Sequence, residues 1–285
     1  MDQKVLAARI SVASNVLLVV VKLVVGAAIG SVSVMSEAIH SAVDLLAAVI
    51  ALLSVRVSSR PADRNHAYGH GKVENLSALV EGALIVAAAG WIVVEALGKL
   101  RSAETAHMLA PGMAVMVLSA GLNWLVSANL FRVARKHDSM ALEADALHLR
   151  TDVWTSLGVF VGLGLAQVTG FRWLDPVAAL AVAALITRAG LQLCAEALRP
   201  LVDARLPADE EAEIIGLIER FRARYVEFHD LRTRRSGAVR HVDFHLVVPG
   251  DRPLQEVHQV CDQIEEAIRE RYPLAHVLIH PEPLP

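Results

Sequence analysis

Six apolar stretches, each close to the ~20 residues a helix needs to cross a bilayer, limit what this chain can become more than any other feature. They fall at 7–29, 33–55, 74–98, 111–133, 141–168 and 173–198. In lipid a backbone must satisfy its own N–H and C=O groups, so runs of this length are restricted to helices. The first run begins near Val5, is too long for the core of a cleavable leader, and leads straight into further spans. Hydrophobic residues make up 54% of the 285 and gather before about residue 200. That distribution suits a polytopic membrane protein with a polar tail.

The breaks between spans are short: Gly30-Ser31, Arg56–Lys72, Lys99–Ala110, Arg132–Ser139 and Thr169–Arg172. Arg56, Arg60, Arg64 and Lys72 share one break, and Arg132, Arg135 and Lys136 another two spans later, whereas the opposite side carries only Lys99, Arg101 and Arg172. Basic residues stay on the cytoplasmic side, so both termini are expected in the cytoplasm. The net charge of -3 argues against a nucleic-acid partner. Two cysteines, Cys194 and Cys261, supply neither a disulfide framework nor a thiolate zinc site.

Two short segments carry the chemistry. Ser36–Asp44 holds His40 and Asp44, and Ala146–Asp152 holds His148 and Asp152. The four-residue spacing sets each His and its Asp on one helix face. A His in an apolar run is more often a hydrogen-bonded core residue than a ligand. Two copies of the pattern at one depth reverse that. At ~1.5 Å per residue, Asp44 lies roughly 17 Å from the inner end of its span near Val55, and Asp152 roughly 18 Å from the inner end near Met140. Ionisable groups at mid-bilayer are costly and persist mainly for function. Two imidazoles with two carboxylates complete a tetrahedral shell for a zinc-like ion.

The other polar residues in spans have plainer readings. Lys22 is expected to snorkel toward the outer surface. Glu37 either lines the outer approach or serves a helix end, and Glu81 and Glu95 face a water-filled cavity or a partner subunit. Met35 and the tryptophans are expected to pack or to anchor at the interface. His107 and His137 are expected on the surface.

From about Leu206 the pattern changes. Pro207-Ala208-Asp209 opens a helix with an apolar stripe of Ile214, Ile215, Leu217, Ile218 and Phe221. Alternating segments follow at Tyr225–Thr233 and Val239–Val248 around a turn at Ser236-Gly237, then a helix over Leu254–Arg271 and a short strand Ala275–His280 that ends before Pro281. The fold class expected is an α-helical membrane protein with six transmembrane helices plus a small α+β (α-β-β-α-β) cytoplasmic domain. The divisions are 1–200 and 201–285. The three strands leave a face and an edge for pairing with another subunit.

Four segments together resemble the cation diffusion facilitator family, especially its bacterial zinc and ferrous-iron efflux members. They are Ser36–Asp44, the run Asp63–Glu74, Ala144–Asp152, and His229-Asp230-Leu231-Arg232-Thr233-Arg234. The resemblance covers nearly the whole chain. It implies a homodimer in the bacterial inner (plasma) membrane, multi-pass, with a metallochaperone-like cytoplasmic domain that binds metal and dimerises. It implies a transport site at His40, Asp44, His148 and Asp152. Some members have Asp where this chain has His40, and His there resembles the more zinc-restricted ones. Zn2+ is therefore the first expectation, with Cd2+, Fe2+ and Co2+ open. Asp63, His66 and His70 match a loop metal site. In the tail His229, His245, His258 and His280 match a cytoplasmic metal site, with Glu282 where the family commonly has Asp. His241 and His276 are alternatives of the right strand parity. Lys72 and Asp203 match a family ion pair.

The resemblance implies export of a divalent cation from the cytosol in exchange for protons, with membrane lipid as surroundings. The ligands suit such exchange, because metal needs neutral His and ionised Asp and so displaces protons. An enzyme is not expected, since no H-E-x-x-H run is present and a closed four-ligand shell leaves no position for catalytic water. The alternative is a membrane-anchored metal sensor whose spans only hold the tail.

Overall fold

A computed structural model describes residues 3–29, 32–101, 110–171 and 173–284. The Gly30-Ser31 break, His107 and the side chain of Glu37 lie outside the described residues. By its contacts the chain divides into two compact units, Met1–Pro61 with Val73–Leu198, and Ala62–Lys72 with Arg199–Pro285.

Six long helices dominate the chain: α1 (Gln3–Ile29), α2 (Val32–Ser58), α3 (Lys72–Arg101), α4 (Ala110–His137), α5 (Met140–Thr169) and α6 (Leu174–Leu201). Each exceeds its apolar window by a turn or less, because the flanking polar residues continue the helical hydrogen bonds outside the apolar zone. Among the described residues, five are both long and apolar enough to cross a membrane. The other is α5, which spans 30 residues but carries Glu143, Asp145, Arg150 and Asp152 in its first half. Large apolar side chains such as Leu17, Val24, Trp91, Val94, Leu125 and Leu185 are exposed, as a lipid-facing surface requires.

Within this unit α1 packs on α2 and α4, and α5 on α4 and α2. Ala7, Leu52, Val55, Leu130, Leu142, Ala146 and Leu149 form one buried cluster. A second cluster joins Ala78, Ile85 and Ala89 of α3 to Ala144 of α5 and Ile186 and Leu193 of α6. Helices α3 and α6 approach through glycines: a Cβ on Gly190 would stand 3.2 Å from the Gly82 carbonyl oxygen and 2.9 Å from Val86 Cγ2. Small residues allow that approach where no hydrophobic force drives helices together. Buried Glu74 ties one end of the unit, accepting from Lys4 Nζ at 2.9 Å, Ser58 Oγ at 2.5 Å and the Ser139 hydroxyl.

The tail comprises α7 (Ala208–Glu219), a 3-10 turn (Arg222–Arg224), β1 (Glu227–Ser236), β2 (Val239–Pro249), α8 (Leu254–Arg271) and β3 (His276–Leu284). The sheet runs β1-β2-β3, antiparallel then parallel, the parallel pair being joined by the α8 crossover. Val242, Phe244, Leu246 and Val248 alternate onto the face covered by α7 and α8, where Ile214, Ile218, Val260, Ile264 and Ile268 meet them. His241, Asp243, His245 and Val247 therefore take the opposite face. The β1–β2 turn places Gly237 at φ +60°, the left-handed region where glycine is unstrained.

One expectation needs correction. The last strand does not end before Pro281 but continues to Leu284, pairing Leu246 with Pro281 and Val248 with Pro283. β3 is an edge strand, and prolines two residues apart both lose the N–H on one side, the side without a partner strand.

Candidate metal centres

Helices α2 and α5 bring the two His–Asp pairs together. His148 Nε2 lies 3.1 Å from Asp44 Oδ1, and His40 Nε2 lies 3.9 Å from Asp44 Oδ1 and 4.0 Å from Asp152 Oδ1. Ligands at zinc distances of ~2.0–2.1 Å in a tetrahedron stand ~3.3 Å apart, so separations of 3.1–4.0 Å need little adjustment. Asp44 and His148 are buried, and His40, at 52% side-chain exposure, is the open member. Asp152 Oδ2 and His148 Nδ1 are buried with no hydrogen-bond partner. His40, Asp44 and Asp152 offer ligand atoms within 4.8 Å of one another, and His148 joins them through its contact with Asp44, a donor set that suits a cation.

Lys22 does not snorkel. It is buried and donates to Ser41 Oγ at 2.8 Å. The rotation of α1 against α2 turns it inward against the Ser41 hydroxyl. Glu81 is likewise fully buried inside the chain.

The segment Ala62–Lys72 gathers a second set. His66 Nδ1 is 3.2 Å and His70 Nε2 3.4 Å from the two oxygens of Asp63, and the imidazole centroids are 4.4 Å apart. No helix produces this. The backbone N–H groups of Asn65 and His66 donate to Asp63 Oδ1 at 2.9 and 2.8 Å, folding the segment on its own carboxylate. Those donors, His66 foremost, hold the Asp63 carboxyl below its usual range. Gly69 supplies φ +79°. Gly71 rests on the β1–β2 turn, where a Cβ would fall 2.5 Å from the Ser236 carbonyl oxygen.

The tail presents a third set across all three strands. His245 faces His229 on β1 and His280 on β3 in register, with ring centroids 5.2 and 5.0 Å away. Glu282 joins them: Oε1 is 2.9 Å from His245 Nδ1, and Oε2 is 3.6 Å from His229 Nε2. A bulge between His229 and Arg232, with Asp230 at φ +53°, re-aims β1 beside the cluster. His229, His245 and Glu282 form the compact group, and His280 Nε2 stands 3.8 Å from Glu282. His258 stands apart within the chain. It lies on the exposed side of α8, 3.4 Å from Asp262, because its neighbours Val257 and Val260 turn toward the core.

His241 and His276 pair on the same face, stacked with centroids 5.5 Å apart, and Tyr68 caps His241 at 5.5 Å. Burial first, then the charges of Arg234 and His276, pull His241 down to about 4. Lys72 Nζ meets Asp203 Oδ1 at 2.8 Å, with Arg234 Nη1 at 3.4 Å, and the Lys72 hydrogen bond holds Asp203 below its usual range.

Sequence reasoning missed Lys22 and Ser41 beside the α2–α5 site and gave Asp145 no role. Asp145 was detectable, three residues before His148 on the same helix face. Lys22 was not, because its direction depends on how two helices rotate against each other.

Comparison with known proteins agrees in extent with this architecture. A family model for the cation efflux transmembrane domain matches residues 8–202, and one for the cation efflux protein cytoplasmic domain matches residues 206–284. The uncharacterized transporter sll1263 of Synechocystis sp. is 38% identical over 255 residues, 90% of this chain and 82% of that one. The cation-efflux pump FieF of Serratia proteamaculans is 36% identical over 267 residues, covering 94% and 88% of the two chains. A solved structure of CzrB in its zinc form is 45% identical and covers 28% of this chain and 90% of that one, with a TM-score of 0.27.

Proposed function

Because this chain belongs to the cation diffusion facilitator, or cation efflux, family, we propose that it exports a divalent metal ion, zinc first, from the cytosol in exchange for protons. It is a multi-pass membrane protein. The observation that carries the proposal is the convergence of His40, Asp44, His148 and Asp152 from two helices. Imidazole with carboxylate suits zinc better than manganese or calcium, which favour all-oxygen shells. On this reading residues 1–200 are the transport domain in the bacterial inner membrane and 201–285 the cytoplasmic domain of a homodimer, with both termini cytoplasmic.

Antiport follows from the ligands. Zinc takes deprotonated His and Asp and so releases protons on binding. Once zinc leaves, two bare carboxylates at membrane depth are costly and recover protons from the other side. Rocking of the helices exposes the site to each side in turn. Asp63–His66–His70 and His229–His245–Glu282 capture or sense cytosolic metal, the tail site shifting the dimer by binding one arrangement more tightly. A metal sensor anchored by inert spans has no need of buried carboxylates in those spans.

The test is zinc uptake into inverted vesicles under an imposed pH gradient. Uptake should follow the proton load and vanish in Asp152→Ala. Uptake indifferent to both would refute the proposal, and preferential transport of Fe2+, Co2+ or Cd2+ would replace zinc within it.

A further inference from the structure

Below the α2–α5 site the same unit contains acidic groups that the exporter chemistry above does not use. Glu81 on α3 and Asp145 on α5 are 0% and 1% exposed. Ala78 and Ile85, which flank Glu81 on α3, share one buried cluster with Ala144, the neighbour of Asp145 on α5, so the two carboxylates lie on packed stretches of the two helices. Ser77 lies one turn before Glu81 on the same helix face, and Ala8, three residues before Ser11 on α1, shares a buried cluster with Ala141 and Leu142 of α5, just before Asp145. Yet neither Glu81 oxygen, nor Asp145 Oδ2, nor the Ser11 and Ser77 hydroxyls completes a hydrogen bond. Buried carboxylates in proteins are normally paired or coordinate a metal. No ion pair joins either group to Lys or Arg among the described residues.

The four groups also share a depth. Counting from the helix ends at Gln3, Lys72 and Met140, Ser11, Ser77, Glu81 and Asp145 lie about 7–14 Å in, whereas Asp152 lies about 18 Å in. His148 stands between the two levels. Its Nε2 faces Asp44, and its Nδ1 is buried without a partner. With metal on Nε2 the proton sits on Nδ1, and ligating histidines present that N–H to a carboxylate or another acceptor.

We infer that Glu81 and Asp145, with the hydroxyls of Ser11 and Ser77, form a second divalent-cation site made only of oxygen donors, one turn of α5 nearer the Met140 end than His148. Two carboxylates match the charge of a divalent ion, and the orphaned oxygens are the ligands it would take. An oxygen shell holds zinc more loosely than the His–Asp shell above it. An ion arriving from the Met140 end pauses there and passes upward along His148. Only this direction of travel rests on the exporter reading. The site itself does not.

The probe is Mn2+, a hard ion that prefers oxygen. The full-length chain in lipid nanodiscs carries His66→Ala, His70→Ala, His229→Ala and His245→Ala to silence the other clusters, with zinc filling the four-ligand site. Electron paramagnetic resonance should then count one further bound Mn2+ per chain, without nitrogen coupling from a directly bound imidazole. Glu81→Gln and Asp145→Asn should each weaken that binding at least tenfold. Retained zinc at the four-ligand site shows that these variants are folded. No bound Mn2+ beside the zinc, Mn2+ coordinated by nitrogen, or Mn2+ indifferent to both substitutions would overturn the inference. Loss of vesicle transport with Mn2+ binding intact would count against the exporter reading alone.

Discussion

The α2–α5 cluster and the tail cluster use the same donors, imidazole and carboxylate, in opposite surroundings. Asp44 and His148 are 5% and 6% exposed, whereas the side chains of His229, His245 and Glu282 are 44%, 36% and 34% exposed. Helices aim the first set by a four-residue stride, and strand register aims the second. In the exposed set water competes for every ligand and satisfies it when metal leaves. In the α2–α5 set only His40 stays open, at 52% side-chain exposure, and for buried Asp44 and His148 nothing but metal, protons or the partner side chains can do so. The difference teaches that one donor chemistry can suit two tasks: on the proposed reading, loose sensing where water is a ready substitute, and exchange of metal for protons where Asp44 and His148 are shut from it.

The largest expected effect separates the two clusters outright. Asp44→Ala should lower zinc transport in proteoliposomes on the order of 100-fold or more, beyond the 10–100-fold typical of losing an outer-shell partner. His245→Ala should change the transport rate by only a few-fold while removing tail metal from the full chain. If both variants lose transport alike, the division of tasks fails.

The next effect contrasts two histidine groups on one sheet face. His241, held near 4, binds its proton less readily folded than the ordinary ~6.5 of the unfolded chain. Between those values the unfolded state carries more protons, so stability is full above about 6.5 and falls as pH drops toward 4, by an order of 2–3 kcal/mol. Hydrogen exchange of β2 amides in the full chain should therefore quicken between pH 7 and pH 5. In His241→Phe, which keeps a ring between Tyr68 and His276, that quickening should shrink.

A smaller effect sharpens the view of the loop cluster. Gly71→Ala places a Cβ against the Ser236 carbonyl and should push the segment off the β1–β2 turn. Chelator competition should report weaker metal binding at Asp63–His66–His70 with the other two clusters unchanged. Smallest is Asp203→Asn. Its pair with Lys72 is half exposed, so its loss should cost at most about 1 kcal/mol and less at high salt, measured as a shift in thermal midpoint.

These regions also differ in how far they could be read before any coordinates. The six helices followed from apolar length alone, and the α2–α5 pairing from a spacing that any helix turns into a shared face. α5 was legible with the others, as the window 141–168, although its first half carries Glu143, Asp145, Arg150 and Asp152. The tail order was legible from alternating apolar residues, but β3 beyond Pro281 was not, since proline stops a strand only when it has neighbours on both sides. Asp63 gathering His66 and His70 through its own backbone hydrogen bonds leaves no periodic trace. Nor does Lys22 turning toward Ser41, which depends on helix rotation.

The central claim is that four side chains of α2 and α5 close on one ion. X-ray absorption on the full chain in nanodiscs, with the loop and tail clusters silenced and one equivalent of zinc added, tests it most directly. The account predicts two imidazole nitrogens and two carboxylate oxygens at ~2.0–2.1 Å, with one imidazole lost in His148→Ala. Zinc that fails to bind, or that binds without imidazole, would contradict it.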